Sequence, residues 1–598
     1  MYKHKVSLFM TAFFMTWFLA FCAAETGVNV YKPTVRVTTP AVKVSGQPVY
    51  YEMRGGKRVI IKEKIVVKGG SHYKLVNGRK VRVKAKIYKR LKRAAKAKRG
   101  KAKRARINDK AANDSPYNQT NREKYEDYGE NPRLSPLTEP FSTFSVDVDT
   151  GSYTNTRRYL TRMNTLPPKS AVRVEEFINY FDYQYPLPKG KRPFSIYHEM
   201  APSPFDKGRH LLHIGLQGYK VPASQRPASN LVFLIDVSGS MQSEHKLELL
   251  KKAMIMLTEQ MKPQDKISLV VYAGAAGVVL EPTSGKDKSV IESAINRLTA
   301  GGSTAGAAGI ELAYKMAARG FIRAGINRVI LATDGDFNVG ISDHQKLIKL
   351  IENKRKSGIA LTVMGFGMYN LNDRTMEQLA NKGNGNYFYI DNLNEARKVL
   401  VTELAATLQI IAKDVKIQVE FNPKYVSSYR LIGYENRRLT KEQFRDDRVD
   451  AGEIGAGHTV TAIYEITLTR SEKGSSSRYK REKPKLKQKS NQSKTRFRGE
   501  IAFFKLRYKA PRGDQSILVK KALKKSHILK RKASNRFLYS AAVAFFAQKL
   551  KNSRYAEHVT YDDILKVMSS SVGGDHFGYR EECKDLLIRA KAISRMKS

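Results

Sequence analysis

The chain has 598 residues, 41% of them hydrophobic, which suffices for about three or four domains with sizeable cores. Lysine and arginine number 108 against 55 acidic residues, and the formal net charge of +53 indicates an anionic partner without specifying a fold. Only two cysteines, Cys22 and Cys583, are present, which excludes a disulfide framework, and the sequence has no His-Glu-x-x-His motif or cysteine cluster.

Residues 1–24 have the features of an export signal. Two lysines precede an apolar run that extends from Val6 to Ala24. Three outcomes stay open: cleavage after Ala24, lipidation of Cys22 within the imperfect lipoprotein box "LAFC", or retention as an uncleaved anchor. Each of them predicts an extracytoplasmic protein, in the periplasm or the cell envelope.

Residues 25–122 form a basic segment. Alternating apolar and basic residues predict a small β-meander with a hairpin turn at Asn77-Gly78, followed by a cationic tail. Sixteen of the 28 residues from Arg79 to Arg106 are basic. The tail is either solvated and partly disordered, or it binds polyanions, and in an exported protein acidic envelope polymers or lipid headgroups are favoured over nucleic acid. The candidate polyanion-binding residues are Lys80, Arg82, Lys84, Lys89, Arg90, Lys92, Arg93, Lys96, Lys98 and Arg99.

The segments that flank residues 229–408 differ in the spacing of their apolar residues. Residues 123–189 have apolar positions at helical spacing and predict a helical N-terminal region, and residues 513–598 predict a helical C-terminal region. Period-two segments at 190–228 and 409–512 predict two halves of one β-sandwich, because each set alone is too small to cover its apolar face. The Ser/Lys-rich stretch "SEKGSSSRYKREKPKLKQKSNQSKTR" predicts an exposed loop within the second half.

Residues 229–408 alternate apolar strands with amphipathic helices. Strands such as "LVFLID" and "NRVILAT" are separated by helices such as "KLELLKKAMIMLTEQM". This alternation predicts an α/β fold with a doubly wound, mainly parallel sheet. The predicted fold class is therefore an α/β domain inserted in a flanking β-sandwich, with helical N- and C-terminal parts.

Polar side chains gather where the strands of this predicted sheet end. Asp236, Ser238 and Ser240 follow the first strand, Thr304 lies in a Gly-rich loop that opens a helix, and Asp334 follows a later strand. Ligands bind at the carboxyl ends of parallel strands, and an all-oxygen set suits a hard cation such as Mg2+ or Mn2+. If the hydroxyls bind directly and the carboxylates act through water, an open coordination position would attract a carboxylate of a partner.

These residues also carry a family resemblance. Asp236-Val-Ser238-Gly-Ser240, Thr304 and Thr333-Asp334-Gly335 resemble the metal-ion-dependent adhesion site of von Willebrand factor type A domains. Flanking stretches such as "LPPKSAVRVEEFINYFDY" and "DAGEIGAGHTVTAIYE" resemble bacterial YfbK-type proteins over roughly residues 122 to 598. The resemblance implies an exported, often lipid-anchored protein with an N-terminal family region, a type A domain at 229–408 and a C-terminal domain.

The sequence gives little support for a catalytic function. The letters "DTGS" at Asp149 to Ser152 match an aspartic protease loop, but no second such loop is present, so Asp149 and Ser152 are predicted to cap a helix. No enzyme is predicted. Two functional classes remain: a metal-dependent module that binds an acidic side chain of a protein partner, or an envelope-associated binder of anionic polymers or lipid headgroups through the basic segment.

Overall fold

The computed structural model describes residues 50–54, 57–61, 65–68, 71–76, 79–83, 122–190, 192–273, 275–301, 306–335, 344–469, 497–529 and 532–597. The chain divides into two units, Met1–Pro116 and Tyr117–Ser598, and each is described by itself. The predicted signal at 1–24, Cys22, Thr304 and the Ser/Lys-rich stretch lie outside the described residues.

The described residues of the first unit form five short strands in two antiparallel sheets. They are β1 (Tyr50–Arg54), β2 (Lys57–Ile61), β3 (Ile65–Lys68), β4 (Ser71–Val76) and β5 (Arg79–Val83). β1 pairs with β2, and β3, β4 and β5 pair in chain order. Val76 lies opposite Arg79 where β4 pairs with β5, and the predicted turn residues Asn77 and Gly78 lie outside the described residues. Of the candidate polyanion-binding residues, Lys80 and Arg82 lie on β5, and the other eight lie outside the described residues.

The second unit begins with a strand and two helices. They are β6 (Phe141–Ser145), α1 (Gly151–Thr161) and α2 (Val174–Asn179). The helices follow the predicted helical spacing, but β6 lies in a region predicted as helical and pairs antiparallel with residues 416–420. A five-residue strand is too short to display its period, and the burial of Phe144 in the sandwich core fixes its position.

The start of α1 also differs from the prediction. No side chain caps the helix at Thr150. Instead, an Asp149 carboxylate oxygen accepts from the backbone N–H of Tyr387 at 2.9 Å, and the Ser152 hydroxyl donates to the carbonyl of Ala171 at 2.6 Å. The predicted capping role of Asp149 and Ser152 is wrong because partners distant in sequence bind both side chains.

After β7 (Phe194–Pro202) and β8 (His210–Gly218), the chain enters a six-stranded sheet. Its strands are β9 (Ser229–Asp236), β10 (Lys266–Tyr272), β11 (Ala276–Ser284), β12 (Ile326–Thr333), β13 (Ala360–Phe366) and β14 (Tyr387–Ile390). The order is β11-β10-β9-β12-β13-β14, and every neighbouring pair is parallel except β10 with β11. We call residues 229–408 the central domain.

Helices cover both faces of the central sheet. They are α3 (Leu249–Glu259), α4 (Lys288–Asn296), α5 (Gly306–Arg319), α6 (His344–Lys354), α7 (Asp373–Lys382), α8 (Leu393–Arg397) and α9 (Leu404–Leu408). One apolar cluster packs α3, α4 and α8 against the sheet, and a second packs α5, α6 and α7 against the other face. The sheet is therefore doubly wound, which confirms the predicted fold class.

The chain then completes a sandwich of two sheets. Its strands are β15 (Ile410–Phe421), β16 (Val426–Ile432), β17 (Gly452–Gly455), β18 (Thr459–Leu468), β19 (Glu500–Lys509) and β20 (Ser516–Lys524), with a short α10 (Lys441–Arg445). One sheet has the order β16-β18-β8-β7, and the other has β17-β15-β19-β20 with β6 on β15. One apolar cluster lies between the two sheets. Since β8 precedes the central domain and pairs with β18 after it, the central domain is inserted in the sandwich, as predicted.

The C-terminal region is helical after an edge strand. Its helices are α11 (Lys525–Ile528), α12 (Asn535–Leu550), α13 (Tyr561–Ser569) and α14 (Tyr579–Lys597). The prediction of a helical start at 513 is wrong, because β20 occupies 516–524. Most β20 side chains are exposed, so the strand lacks a one-sided apolar pattern, and its pairing with β19 decides its conformation.

Candidate metal centre

The central sheet brings two strand ends together at the point where its strand order reverses. β10 continues the sheet on one side of β9, and β12 lies on the other side. Ile235 pairs with Ala332, so Asp236 and Thr333 end neighbouring parallel strands. Crevices of this kind are the usual ligand sites of open parallel sheets. The described part of the predicted site, Asp236, Ser238, Ser240 and Asp334, therefore gathers at one edge.

Asp236 is held on both carboxylate oxygens. Its Oδ1 accepts from the backbone N–H of Ser238 at 2.9 Å. Its Oδ2 accepts from the Thr333 hydroxyl at 3.1 Å and from the Tyr272 hydroxyl at 3.3 Å. Burial raises the pKa of Asp236 to about 6, although the hydrogen bonds from Ser238 lower it, and the charge of Asp334 adds to the rise. Asp236 is thus a positioned carboxylate that a bound cation would keep ionised.

The two serines lead from this buried carboxylate to the surface. Their hydroxyl oxygens lie 3.1 Å apart. Ser238 is buried, and Ser240, in the short helical turn Gly239–Gln242, is exposed. Hydroxyls are neutral oxygen ligands, so they can hold a cation without cancelling its charge. Ser240 therefore lies on the solvent side of these residues.

Asp334 is completely buried at the other strand end. Its Oδ2 accepts from the Lys246 ammonium at 2.9 Å and from the Asn370 side-chain amide at 2.8 Å. Burial acts to raise the pKa of Asp334, but the Lys246 charge and the hydrogen bonds from Lys246, Asn370 and Ser240 outweigh it and hold the pKa below its usual range. Asp334 is therefore ionised at neutral pH.

The turn after Asp334 requires a glycine. Gly335 has a φ of +92°, and its backbone N–H donates to the Thr333 hydroxyl at 3.0 Å. A Cβ atom at this position would lie 2.6 Å from the backbone nitrogen of Asn372. The glycine therefore lets the chain turn away directly beyond the carboxylate.

Thr304, the fifth predicted ligand, lies outside the described residues. The described residues before and after its loop contact the site's strands. The backbone N–H of Gly301 donates to the carbonyl of Val237 at 2.7 Å. Gly309, in the first turn of α5, packs so closely on Tyr272 that a Cβ atom there would lie 2.9 Å from the Tyr272 Cβ.

Sequence reasoning missed two residues of this site, Lys246 and Asn370. Lys246 lies at helical spacing from Leu250, Ala253 and Met254, which are all buried. A lysine on the buried stripe of an amphipathic helix was a detectable signal, since lysines are rarely buried without a partner. Asn370 follows β13 in a loop, and the sequence offered no signal for it.

The donor set fits an oxygen-ligated cation. Asp236, Ser238, Ser240 and Asp334 offer two carboxylates and two hydroxyls, the ligand types that Mg2+ and Mn2+ prefer. Within the described ranges, no three or more His, Cys, Asp or Glu side chains gather as a metal-binding group. The hydroxyls and water would therefore have to complete the coordination of a cation here.

Three protein families match successive parts of the chain. The family described as "von Willebrand factor" matches residues 119–213, the "von Willebrand factor type A domain" matches residues 230–402, and "Uncharacterized protein YfbK, C-terminal" matches residues 406–593. Among the described residues, no helix combines the length and apolar character needed to cross a bilayer.

Three individual proteins are similar to this chain over different lengths. The Escherichia coli (strain K12) protein "Uncharacterized protein YfbK" is 42% identical over 478 residues, which cover 79% of this chain and 81% of that protein. Inter-alpha-trypsin inhibitor heavy chain H1 of Sus scrofa is 27% identical over 202 residues, which cover 32% of this chain and 22% of that protein. The solved structure "von Willebrand factor type A from Catenulispora acidiphila" has a TM-score of 0.38 at 13% identity and covers 69% of this chain and 91% of its own.

Proposed function

The chain belongs to the YfbK family of proteins with a von Willebrand factor type A domain, and from this premise we propose that it is an exported, metal-dependent protein-binding module. Type A domains are typically protein-interaction or adhesion modules. The partner would offer an acidic side chain, and Mg2+ (or Mn2+) would join that side chain to the central domain. The observation that carries the proposal is the convergence of Asp236, Ser238, Ser240 and Asp334 at the reversal of strand order.

Each residue has a distinct part in this proposal. Asp236 and Asp334 supply negative charge, largely through water, and their hydrogen bonds hold them in place before any ligand arrives. Ser238 and Ser240 supply neutral oxygens, and Thr304 is proposed to supply a third. A bound Mg2+ would supply an electrophilic position that accepts a carboxylate oxygen of the partner. The exposure of Ser240 supports access from that side.

The first test is a calorimetric titration of the full chain with Mg2+. Asp236→Ala removes one of the two carboxylates and is expected to abolish or greatly weaken the heat of binding. Asp287→Ala is the matched control, because Asp287 lies in the same domain and forms no side-chain cap with its helix. Equal heats from the wild type and Asp236→Ala, or none from either, would refute the metal site.

The second test addresses the partner. Wild-type protein and Asp236→Ala would be used to capture proteins from an envelope extract, with Mg2+ or with a chelator. A partner retained by the wild type in Mg2+, and lost with the chelator or with Asp236→Ala, is the expected result. If the partner is retained equally with and without the chelator, and equally by Asp236→Ala, binding proceeds through another surface.

A second candidate function rests on the charge of the basic segment. Sixteen cations between Arg79 and Arg106 suit an anionic envelope polymer or lipid headgroups. Deletion of residues 79–106 is expected to weaken retention on anionic vesicles at low salt and to flatten its salt dependence. Unchanged retention after the deletion would leave this segment as a solvated tail. This binding needs no metal, so a chelator separates the two functions.

A further inference from the structure

We propose that Lys246 is a built-in counter-cation of the metal centre, which weakens the site's hold on the metal and keeps the loaded site attractive to a partner carboxylate. The inference rests on the proposed function and adds a residue outside the predicted ligand set. Three observations support it: the position of the ammonium, the space that Gly367 leaves for the lysine side chain, and the net charge of the site.

The Lys246 ammonium lies inside the site. It belongs to the helical turn Glu244–Glu248 that precedes α3, and only 7% of the residue is exposed. Its Nζ lies 2.9 Å from Asp334 Oδ2 and 3.1 Å from Asn370 Oδ1. Asn370 in turn donates to the same Asp334 oxygen at 2.8 Å. Lys246, Asn370 and Asp334 thus form a closed ring of three contacts around one carboxylate oxygen.

The Lys246 side chain also occupies a space that is open only because residue 367 is a glycine. Gly367 follows β13 with a φ of +86°, and a Cβ atom on it would collide with Cε, Cδ and Cγ of Lys246. The Tyr389 hydroxyl donates to the carbonyl of Gly367 and fixes that loop. A surface lysine needs no such channel, since its side chain normally extends into water.

The formal charges of the site show what this ammonium would do. Asp236 and Asp334 together carry two negative formal charges, and Lys246 reduces the sum to one. A divalent cation would then leave one net positive charge, which a partner carboxylate neutralises. Without Lys246 the loaded site would be neutral, so it would hold the metal more strongly and attract a carboxylate less, since charges a few ångströms apart interact strongly away from bulk water.

A purely structural ion pair predicts a different result. If Lys246 only anchored the turn Glu244–Glu248, its loss would loosen the site and weaken metal binding. The counter-cation role instead predicts that metal affinity and stability without metal change in opposite directions. A loosened site cannot produce tighter metal binding.

The test uses Lys246→Met in the full chain, which keeps an unbranched side chain without the charge. Lys251→Met is the control, because its ammonium pairs with Glu248 at 3.0 Å and with the carbonyl of Leu298 at 3.1 Å. Calorimetry with Mg2+ alone and thermal unfolding in EDTA are the measurements. We expect Lys246→Met to bind Mg2+ at least tenfold more tightly and to melt at a lower temperature in EDTA, while Lys251→Met matches the wild type in affinity.

Equal or weaker Mg2+ binding by Lys246→Met, with normal binding by the wild type, would overturn the inference and leave the proposed function standing. No binding by the wild type would overturn both. Lys246→Gln serves if the methionine variant does not fold, because it keeps a donor near Asp334 without the charge.

A second readout follows the carboxylate. The full chain is loaded with Mn2+ to equal occupancy, and relaxation of acetate methyl protons reports acetate close to the ion. We expect acetate to bind Lys246→Met at least threefold more weakly than the wild type. Equal acetate affinity in both proteins would contradict the proposed role of Lys246 toward the partner.

Discussion

A buried ionic cluster joins the N-terminal region, the central domain and the sandwich, and its titration is expected to make the stability of the protein depend on pH. The cluster comprises Asp147, Asp149, Arg173, Glu176, Asp373, Glu377 and Arg437. Five carboxylates thus share two guanidinium groups away from water. Because two cations cannot neutralise five buried anions, some of the carboxyl groups are expected to be protonated at neutral pH.

Glu176 is the member whose titration can be followed most directly. Its Oε2 accepts from the backbone N–H of Ser152 at 2.6 Å, and its Oε1 pairs with Arg173. Burial raises the pKa of Glu176 from 4.5 to about 8, Arg173 opposes the rise, and the charges of Asp147 and Glu377 add to it. The folded chain therefore keeps a proton that the unfolded chain releases, and the free energy of unfolding falls as the pH rises from 4.5 to about 8.

The substitution Glu176→Gln tests this, because glutamine resembles the protonated acid and does not titrate. One pKa unit corresponds to about 1.4 kcal/mol, so the rise from 4.5 to about 8 limits the stability lost through Glu176 to about 5 kcal/mol. Urea unfolding between the two ends of that pH range should show a decrease of a few kcal/mol in the wild type and a smaller one in Glu176→Gln.

Glu311→Gln is the control, because Glu311 is an exposed residue of α5 and should leave the pH dependence unchanged. If the wild type and Glu176→Gln lose stability in parallel as the pH rises, then Glu176 is ionised throughout. In that case the Arg173 guanidinium, and not burial, determines its charge.

Three other outcomes are expected. Gly335→Ala should lower the free energy of unfolding by on the order of 1–3 kcal/mol, because alanine is strained at a φ of +92° and its Cβ would contact the Asn372 backbone. Urea unfolding measures this change, and a value within error of zero would contradict the prediction. Phe546→Ala in α12 should cost about 3–5 kcal/mol in the same assay, because the ring is completely buried and lies 6.2 Å from Phe177, centroid to centroid, in the core shared with α2. Adding Mg2+ at 100 times its dissociation constant should stabilise the chain by about 2.7 kcal/mol and raise its melting temperature. The Asp236→Ala variant should melt at the same temperature with Mg2+ and with EDTA.

The sequence predicted the central domain well because its signals are local. β9 and β12 are continuous apolar runs that end in polar residues, and amphipathic helices separate the strands. The sandwich was also predictable, since neither set of strands could cover its own apolar face. β6 and β20 escaped prediction because their positions depend on pairing with β15 and β19, not on their own periodicity.

Sequence patterns brought together the candidate side chains that strand ends position, and they missed the contacts that depend on tertiary packing. Asp236, Ser238, Ser240 and Asp334 converge because parallel strands end at one edge. The contact between Lys246 and Asp334 joins residues 88 apart, and that between Arg173 and Asp373 joins residues 200 apart. Contacts of this kind depend on how helices pack, which local sequence patterns do not specify.

Residues outside the central domain hold one side of the proposed metal centre in place. The backbone N–H of Arg122 donates to the carbonyl of Tyr369 at 2.7 Å, and that of Lys124 donates to the carbonyl of Leu371 at 2.9 Å. These two bonds flank Asn370, the residue whose side chain contacts both Lys246 and Asp334. An isolated central domain would lose this support, and the position of Asn370 would relax. If the proposed metal site is correct, we therefore expect a central domain expressed alone to bind Mg2+ differently from the 598-residue chain, even if its sheet folds normally.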